Sequence, residues 1–147
     1  PDPPCYPPCP AQTAYAYYAQ TGALVVSEAG DPIPLRSVMR ESPAFTQIGD
    51  TISVCRPGTY LAAFTLSLPA SAECIARIDL TLGDEAVPGA CLTVNKVECA
   101  PATYQFQTVF TAATPGTALR VVSSSAMSVT AATPSDVIAA LTITQLQ

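Results

Sequence analysis

The sequence predicts an all-β sandwich or barrel of some ten short strands, preceded by an extended N-terminal arm. Short runs of alternating apolar and polar residues recur along the chain, and turn signals separate them. No stretch of twelve residues shows the period near 3.6 that an amphipathic helix requires. The first ten residues, PDPPCYPPCP, contain six prolines, which exclude a helix or a central strand there.

The proline-rich start of the chain is predicted to be a separate segment. We expect residues 1–11 to form a semi-rigid connector that rises about 3 Å per residue, as polyproline chains do. Cys5 and Cys9 suggest that a sulfur bond fixes this connector to something. Residues 12–147 are long enough to form one domain with its own core. The connector residues expected to dock on a partner are Pro3, Pro4, Tyr6, Pro7 and Pro8.

The strands follow one another with little intervening sequence. AQTAYAYYAQ and GALVVSEAG are the first two, DPIPL is irregular, and PAFTQIGDTISVC is predicted as one strand with a bulge at Gly49-Asp50. In GTYLAAFTLSL the alternation assigns Tyr60 and Phe64 to one face and Leu61 to the other. The later strands lie in IARIDLTL, AVPGACLTV, TYQFQTVFTAA, ALRVVSSS, AMSVTAA and VIAALTITQLQ.

The composition narrows the classes of partner. Hydrophobic residues make up 49% of the chain and charged residues only 12%, about half the usual share. A surface so poor in charge suggests that other subunits cover much of it, although an exterior rich in serine and threonine gives the same composition. The net charge of −5 and six scattered basic residues argue against a nucleic-acid partner. No apolar run is long enough to cross a bilayer, so we expect no membrane insertion.

The order of these strands resembles a known family. AYAYYAQTGALVV, FTQIGDTISVCRPGTYLAAFTLSL, IDLTLGDEAVPGACLTV, TPGTALRVVSSS and VIAALTITQL succeed one another as in the tumour-necrosis-factor and complement-globular-head jelly roll. The variant that is most similar lies at the tip of collagen-like glycoproteins on bacterial spores. The resemblance covers about residues 14–147. It implies a ten-stranded jelly-roll β-sandwich that forms a tight parallel homotrimer about one face of its inner sheet.

Two features depart from that pattern. The chain has no G-X-Y collagen stalk, and the spore-tip domains are not rich in cysteine. The arm instead resembles the cysteine-bearing connectors that link successive layers in endospore appendages. The aromatic residues of the first strand, Tyr15, Tyr17 and Tyr18, are trimer-interface candidates, because tyrosines in such a cluster more often pack at a subunit interface or against neighbouring strands than bind a sugar.

The cysteines are predicted to lie at two ends of the sandwich. If successive strands reverse, Cys55 lies at the end where the arm begins, which we call the base. Cys74, Cys91 and Cys99 then lie at or near the opposite end, the top. A strand of ten residues spans about 33 Å, whereas bonded cysteines have Cα atoms within about 7 Å, so Cys55 cannot reach these three in its own chain.

The pairing of the cysteines stays open at this point. Cys5 or Cys9 can bond a top-end cysteine of the next trimer, which makes Cys74, Cys91 and Cys99 candidates for intermolecular disulfides. Alternatively, Cys91 and Cys99 close their own loop, and Cys9 bonds Cys55 locally. The even number of cysteines, the absence of histidine and the wide spacing favour disulfides over a metal site.

Little in the sequence points to catalysis or to a cofactor. Without histidine, serine and cysteine triads lose their usual base, so we expect no enzyme. Asp79, Asp84 and Glu85 are a weak candidate for a Ca²⁺ site, since Asp84 and Glu85 form part of a GDE turn in which aspartate is common.

The sequence therefore predicts a structural subunit of a disulfide-stabilised fibre on an extracellular or endospore surface. Homotrimers are expected to stack head to tail through the arm, with an anchoring protein and a tip protein as further partners. The alternative is a discrete trimeric binding or adhesion module, lectin-like, whose arm ties only its own three chains together.

Overall fold

The computed structural model describes residues 14–97 and 99–147, and this part of the chain consists of strands and their connections. The arm, with Cys5, Cys9 and the expected docking residues Pro3, Pro4, Tyr6, Pro7 and Pro8, lies outside the described residues. The strands are β1 (Tyr15–Thr21), β2 (Ala23–Val26), β3 (Ser37–Glu41), β4 (Phe45–Ile48), β5 (Thr51–Val54), β6 (Gly58–Leu68), β7 (Cys74–Leu82), β8 (Glu85–Lys96), β9 (Ala102–Ala112), β10 (Thr117–Ser123), β11 (Met127–Thr130) and β12 (Val137–Gln145).

Two five-stranded antiparallel sheets face each other. The first, which we call the inner sheet, has the order β3-β1-β12-β6-β9, and the second, the outer sheet, has the order β4-β5-β10-β7-β8. A small third sheet pairs β2 with β11. Because neighbours in a sheet are often distant in sequence, the chain crosses repeatedly between the two layers, as it does in a double-sheet jelly roll.

The core lies between the two sheets, and strand alternation explains its composition. On β6 the residues Tyr60, Phe64 and Leu66 are fully buried, and their outward neighbours are partly exposed. Aromatic rings join the layers near one end, where Tyr60 lies 5.4 Å from Phe45 of the outer sheet and 5.5 Å from Phe110 of β9, measured between ring centroids. The all-β prediction and the predicted faces of β6 are confirmed.

The predicted strand PAFTQIGDTISVC is wrong in one respect: it is a hairpin of two strands, not one bulged strand. Ile48 of β4 pairs with Thr51 of β5, so Gly49 and Asp50 are the two central residues of a tight turn. Gly49 has φ +61°, which suits the first central position of a type II′ turn. The split of this strand into β4 and β5 adds one strand, and β3 (Ser37–Glu41), which was not predicted, adds another, so the described strands number twelve rather than the expected ten.

The two ends of the sandwich are defined by the strand registers. Tyr15 pairs with Thr144, and Ala14 O accepts a hydrogen bond from Gln145 N at 2.8 Å, so the described chain starts at the same end where β12 finishes. This end is the base. Leu68 pairs with Ala102 at the opposite end, the top. Residues 1–13 are therefore attached to the base.

At the base the C-terminal tail packs directly over the start of β6. Thr59 N donates to Gln147 O at 3.0 Å, and a Cβ added to Gly58 would lie 2.6 Å from both Gln147 O and Gln145 Nε2. No real Cβ tolerates such distances, so this position is restricted to glycine by the close approach of the tail.

We predict that Gly58→Ala lowers the free energy of unfolding by about 1–3 kcal/mol, the usual cost of overpacking. The measurement is chemical denaturation of the reduced protein, with Gly58→Ala, Gln145→Ala as a second variant, which removes one of the two clashes and should recover part of the loss. Equal stability of Gly58→Ala and the wild type would contradict the close approach.

Candidate assembly interface

The outward face of the inner sheet carries no charge on four of its five strands. Cross-strand partners share a face, so the registers of β1, β12, β6 and β9 identify the outward residues. We call this set the neutral face. Its members are Tyr15, Tyr17, Thr59, Leu61, Ala63, Thr65, Ser67, Thr103, Gln105, Gln107, Val109, Thr111, Ala140, Thr142 and Thr144.

The outer sheet differs sharply in this respect. Its outward face carries Arg77 and Asp79, which form an ion pair at 3.2 Å, and Arg120, which pairs with Asp84 at 2.8 Å. Solvated surfaces usually carry such mixed charges, whereas the cores of protein interfaces are depleted of them. In its lack of charge the neutral face resembles the core of a protein interface, although hydroxyl and amide side chains make up more than half of it.

The three candidate tyrosines have different surroundings. Tyr15 is 46% exposed and Tyr17 is partly buried, and both lie on the neutral face. Tyr18 is fully buried in the core of its own chain, where its hydroxyl donates to Glu41 Oε2 at 2.6 Å. Burial and the nearby Glu41 carboxylate raise the pKa of Tyr18 far above its usual value. Only Tyr15 and Tyr17 are therefore available to a neighbouring subunit.

The neutral face is not flat. Between β6 and β9 it has a depression of 250 Å³, lined by Ala63, Thr65, Gln105 and Gln107 with the adjoining backbone. β12 separates β6 from β1, so the depression between β6 and β9 lies about 12 Å, two and a half strand spacings, from the row of Tyr15 and Tyr17. One face thus presents a ridge of aromatic rings and, beside it, a hollow lined by small and amide side chains.

Sequence reasoning identified the outward residues of β6 but not the neutral face as a unit. Leu61, Ala63 and Thr65 were expected to share a face, whereas the contributions of Gln105 and Thr142 require the pairing of β9 and β12 with β6. A usable signal was present, because the outward positions of four separate strands all lack charge. It has meaning only once the strand order is known.

Cys55 lies at the base, as predicted. It follows β5 directly, its side chain is exposed, and its N–H donates to Ala44 O at 2.7 Å. Ala44 lies in the loop between β3 and β4, and in this loop Ser42 N donates to Tyr15 O at 2.9 Å while Ser42 Oγ accepts from Tyr15 N at 3.1 Å. Cys55 is therefore close to the point where residues 1–13 are attached. Cys9 precedes Ala14 by five residues, which span at most about 17 Å, so a local Cys9–Cys55 bond is within reach.

Cys74 lies at the top, but its side chain points into the sandwich. It is only 8% exposed, and burial raises the pKa of its thiol. Its register partner, Lys96, is also buried, and the Lys96 ammonium donates to Ala72 O at 3.0 Å, Ala70 O at 3.3 Å and Val97 O at 2.5 Å. These bonds hold the loop between β6 and β7 against the strand end that contains Cys74, so an incoming chain has little access to this sulfur.

Cys91 and Cys99 lie at different distances from the top of the sandwich. Cys91 is exposed, but it pairs with Asp79 in the middle of β7, about 17 Å below Lys96 at roughly 3.3 Å per residue. The expectation that Cys91 lies at or near the top is therefore wrong, because β8 is longer than predicted and continues to Lys96. Cys99 is exposed in the loop that follows β8, at the top. All four cysteines of the described chain are free, so the Cys91–Cys99 bond is not formed.

The carboxylates of the suggested Ca²⁺ site are not brought together. Asp79 is paired with Arg77 and Asp84 with Arg120, and Asp84 has a left-handed φ of 70° in its turn. Within residues 14–97 and 99–147, no group of three acidic, cysteine or histidine side chains is arranged to hold a metal ion. The same described part of the chain contains no helix that could span a membrane.

The chain matches no family model and no curated protein. It is similar to solved structures, however. Murine APRIL at pH 5.0 superposes with a TM-score of 0.62 at 13% identity, over 92% of this chain and 100% of that one. The PRD1 vertex protein P5 gives 0.59 at 11% identity, over 92% and 96%. Rabbit GITRL gives 0.57 at 12% identity, over 91% and 94%.

These comparisons establish the fold. APRIL and GITRL have tumour-necrosis-factor-like jelly rolls, and the match covers nearly all of each chain. The predicted tumour-necrosis-factor-like jelly roll is therefore confirmed. At 11–15% identity the similarity concerns the fold alone.

The positions of the cysteines predict an order of reactivity. In folded, reduced protein we expect Cys55, Cys91 and Cys99 to react readily with a maleimide, because their side chains are exposed. Cys74 should react at least about tenfold more slowly, since the thiolate is the reactive form and burial disfavours it. Peptide mass spectrometry after timed labelling measures each site, with labelling in denaturant as the control. Equal rates at Cys74 and Cys99 would show that the Lys96 loop does not close over Cys74.

Proposed function

We propose that the protein is a structural subunit that forms homotrimers through the neutral face, and that these trimers stack head to tail into a disulfide-stabilised fibre. The single observation that carries the proposal is the contrast between the two outward faces: one sheet bears paired charges, and the other bears none on four adjacent strands. A face whose polar groups are hydroxyls and amides rather than ions loses less hydration free energy when copies of the chain cover it.

A ring of three is the assembly that best uses this face. A cyclic trimer has heterologous contacts, in which two different patches of each chain meet. The aromatic ridge of Tyr15 and Tyr17 and the depression at Ala63 and Gln105 are two such patches. Tyrosine rings supply large contact area with little loss of conformational entropy, and their hydroxyls can bond the amides that line the hollow.

Stacking follows from the polarity of each subunit. Residues 1–13 are attached at the base, and Cys99 is exposed at the top. When subunits in a ring are parallel, all arms leave one end of the trimer, and all copies of Cys99 lie at the other. A contact between unlike ends does not close on itself, so it extends into a filament. The burial of Cys74 and the mid-strand position of Cys91 make Cys99 the preferred partner for Cys5 or Cys9 of the next trimer.

The covalent step is the oxidation of two thiols. Cys99 and an arm cysteine together lose two protons and two electrons, and one Sγ–Sγ bond forms between successive trimers. A small-molecule disulfide such as oxidised glutathione accepts the electrons and is reduced to two thiols. Disulfides persist where the surroundings are oxidising, so the proposal includes an extracellular setting on a bacterial spore or cell surface, with an anchoring protein and a tip protein at the two ends of the fibre.

The first prediction concerns the ring. Gln107→Glu adds one negative charge to the neutral face with almost no change in shape, and a trimer would bury three such charges, one in each contact between subunits. We expect trimer affinity to fall by about tenfold or more, because an unpaired charge is expensive in a buried contact. Asn95→Asp is the matched control, since it adds the same charge to the exposed face of the outer sheet. Sedimentation at several protein concentrations measures both.

If Gln107→Glu and Asn95→Asp dissociate at the same concentration as the wild type, the neutral face is not the contact between subunits. If both variants dissociate equally early, the effect is one of net charge and again not of this face.

The second prediction concerns the link between trimers. Wild-type protein treated with oxidised glutathione should form filaments in negative-stain micrographs and, without reductant, a ladder of chains linked by disulfides on a denaturing gel. Cys99→Ser should remove the ladder, and Cys91→Ser, the matched control, should keep it. Peptide mapping should find Cys99 bonded to Cys5 or Cys9.

A ladder that persists in Cys99→Ser would exclude Cys99 as the link. Discrete wild-type trimers at every concentration and redox state would exclude the fibre and leave the alternative, a trimeric binding or adhesion module whose arms bond within one trimer.

A further inference from the structure

At its top end the inner sheet has a groove that none of the described residues fills. It has a volume of 320 Å³ and lies between the upper ends of β6 and β9 and the loop that leads into β12. This volume is near the lower limit of ordinary ligand sites, about 300–1,000 Å³, and suits a short stretch of peptide. The lining that matters here is Ser67, Pro69, Pro101, Thr103, Ala132 and Val137.

We propose that this groove is the docking site for the proline-rich segment Pro3–Pro8 of the arm from the next trimer in the stack. The inference rests on the proposed head-to-tail assembly and adds to it the surface that receives the arm. It commits to one occupant, a segment of this same chain, and it concerns non-covalent recognition as distinct from the disulfide. Ser67 and Thr103 are the topmost members of the neutral face, and in this proposal they lie at the open rim of the trimer, above the contacts between its subunits.

The position of the groove matches the origin of the arm. Residues 1–13 are attached to Ala14 at the base of β1, and the groove is at the top of β6, β9 and β12. All four strands belong to the inner sheet, so the exit of the arm and the groove lie in the same layer of the sandwich at its opposite ends. When one parallel trimer stands on another, an arm that continues along this layer meets the groove without crossing to the outer sheet.

The length of the arm is sufficient. Pro8 precedes Ala14 by six residues and Pro3 by eleven, and extended chain covers at most about 3.3–3.6 Å per residue. The segment can therefore lie between about 20 and 40 Å beyond the base, which is enough to cross the junction between two trimers and enter the top of the next.

The chemistry of the groove suits a polyproline ligand. Such a ligand has few N–H donors and presents apolar rings together with carbonyl oxygens that need donors. Pro69, Pro101 and Val137 offer apolar contact, and the hydroxyls of Ser67 and Thr103 can donate to carbonyls. The Asp136 carboxylate also lines the groove, and its Oδ2 accepts a hydrogen bond from Thr133 N at 3.3 Å. Proline also reduces the entropy that the arm loses when it docks.

The groove and the proposed covalent site adjoin each other. Pro101, which lines the groove, is two residues from Cys99 in the loop between β8 and β9. An arm seated in the groove thus brings its cysteines to the loop that contains the exposed Cys99. Docking would raise the effective concentration of the two thiols before oxidation, so the groove would determine which cysteines pair.

Another surface near Cys99 allows a direct comparison. Ile75 and Val97 are 72% and 61% exposed on the outward face of the outer sheet at the top. This patch is apolar, but it belongs to the outer sheet, whereas the arm leaves from the inner sheet. It supplies a matched control for the groove.

The test uses full-length protein and electron micrographs of filaments grown with oxidised glutathione. Ala132→Trp fills the groove and Val137→Arg places a charge in it, and both residues are exposed, so each variant is expected to fold and form trimers. We expect each to lower the fraction of subunits in filaments by about tenfold, as loss of an anchoring contact does. Ile75→Arg should leave that fraction unchanged.

A second measurement does not depend on folding of a variant. A peptide of residues 1–10 with serine in place of both cysteines, added in excess to wild-type protein, should shorten the filaments while the trimers stay intact. A peptide of the same composition in scrambled order is the control.

The outcomes separate the two proposals. Wild-type protein that remains trimeric overturns the stacking, and the docking with it. Suppose instead that the wild type forms filaments that the peptide does not shorten, and that Ala132→Trp and Val137→Arg form filaments equally well. This result overturns the groove alone. Filaments lost only in Ile75→Arg would assign the arm to the Ile75–Val97 patch and also overturn the groove.

Discussion

Alternation of side chains along the strands of the inner sheet is the constraint on which the assembly depends. Each strand has one row of residues in the core and one row facing outward, and in β6 the inward row begins with Tyr60 while the outward row contains Leu61. Because the outward rows of β1, β12, β6 and β9 carry no charge, these strands have two faces that can be covered without burying an ion. The sandwich covers only one of them, and the proposed trimer covers the other.

The outer sheet shows how the same alternation yields a solvated surface. Its outward row includes the ion pairs of Arg77 with Asp79 and of Arg120 with Asp84. Isolated pairs of this kind contribute little to stability, about 0–1 kcal/mol when exposed, but they keep the surface hydrated and free of self-association. A sandwich with one neutral face and one charged face therefore has one sheet suited to face an assembly axis and one suited to face solvent.

The two ends of the sandwich, the base and the top, also differ from each other. The base contains the start of the described chain, Cys55 and the C-terminal tail packed on Gly58, and the top contains the Lys96 loop with Cys99 beside the groove. The neutral face sets how chains meet side by side, and the unlike ends set how rings meet end to end. Lys96 helps to define the top end, since its ammonium holds the loop between β6 and β7 next to the strand end from which Cys99 follows.

Much of the fold could be predicted from local pattern, because period-two alternation and turn residues are local signals. The faces of β6 and the base position of Cys55 follow from such signals. The hairpin at Gly49 could not be predicted from local signals, because a glycine in a strand pattern is equally consistent with a bulge. Tyr18 illustrates a second limit: alternation separates it from Tyr17, but which row faces the core depends on pairing with β12.

The candidate site was harder to predict than the fold for the same reason. Cys91 and Cys99 differ by eight positions in sequence, yet only the register of β8 against β7 reveals that one lies mid-strand and the other at the top. The buried charge of Lys96 has no sequence signature at all, since its partners are backbone carbonyls of a distant loop. Long-range pairing, which a single sequence does not display, decides each of these positions.

The central claim is that the neutral face of the inner sheet lies between copies of this chain. An electron cryo-microscopy map of the assembled, full-length protein tests it most directly, because a jelly roll can be oriented in such a map by its strands. We expect threefold symmetry with Tyr17, Leu61 and Gln107 facing the neighbouring subunits and Arg77 and Arg120 facing solvent. A map in which the outer sheet forms the contacts, or in which the neutral face remains open to solvent, would contradict the claim.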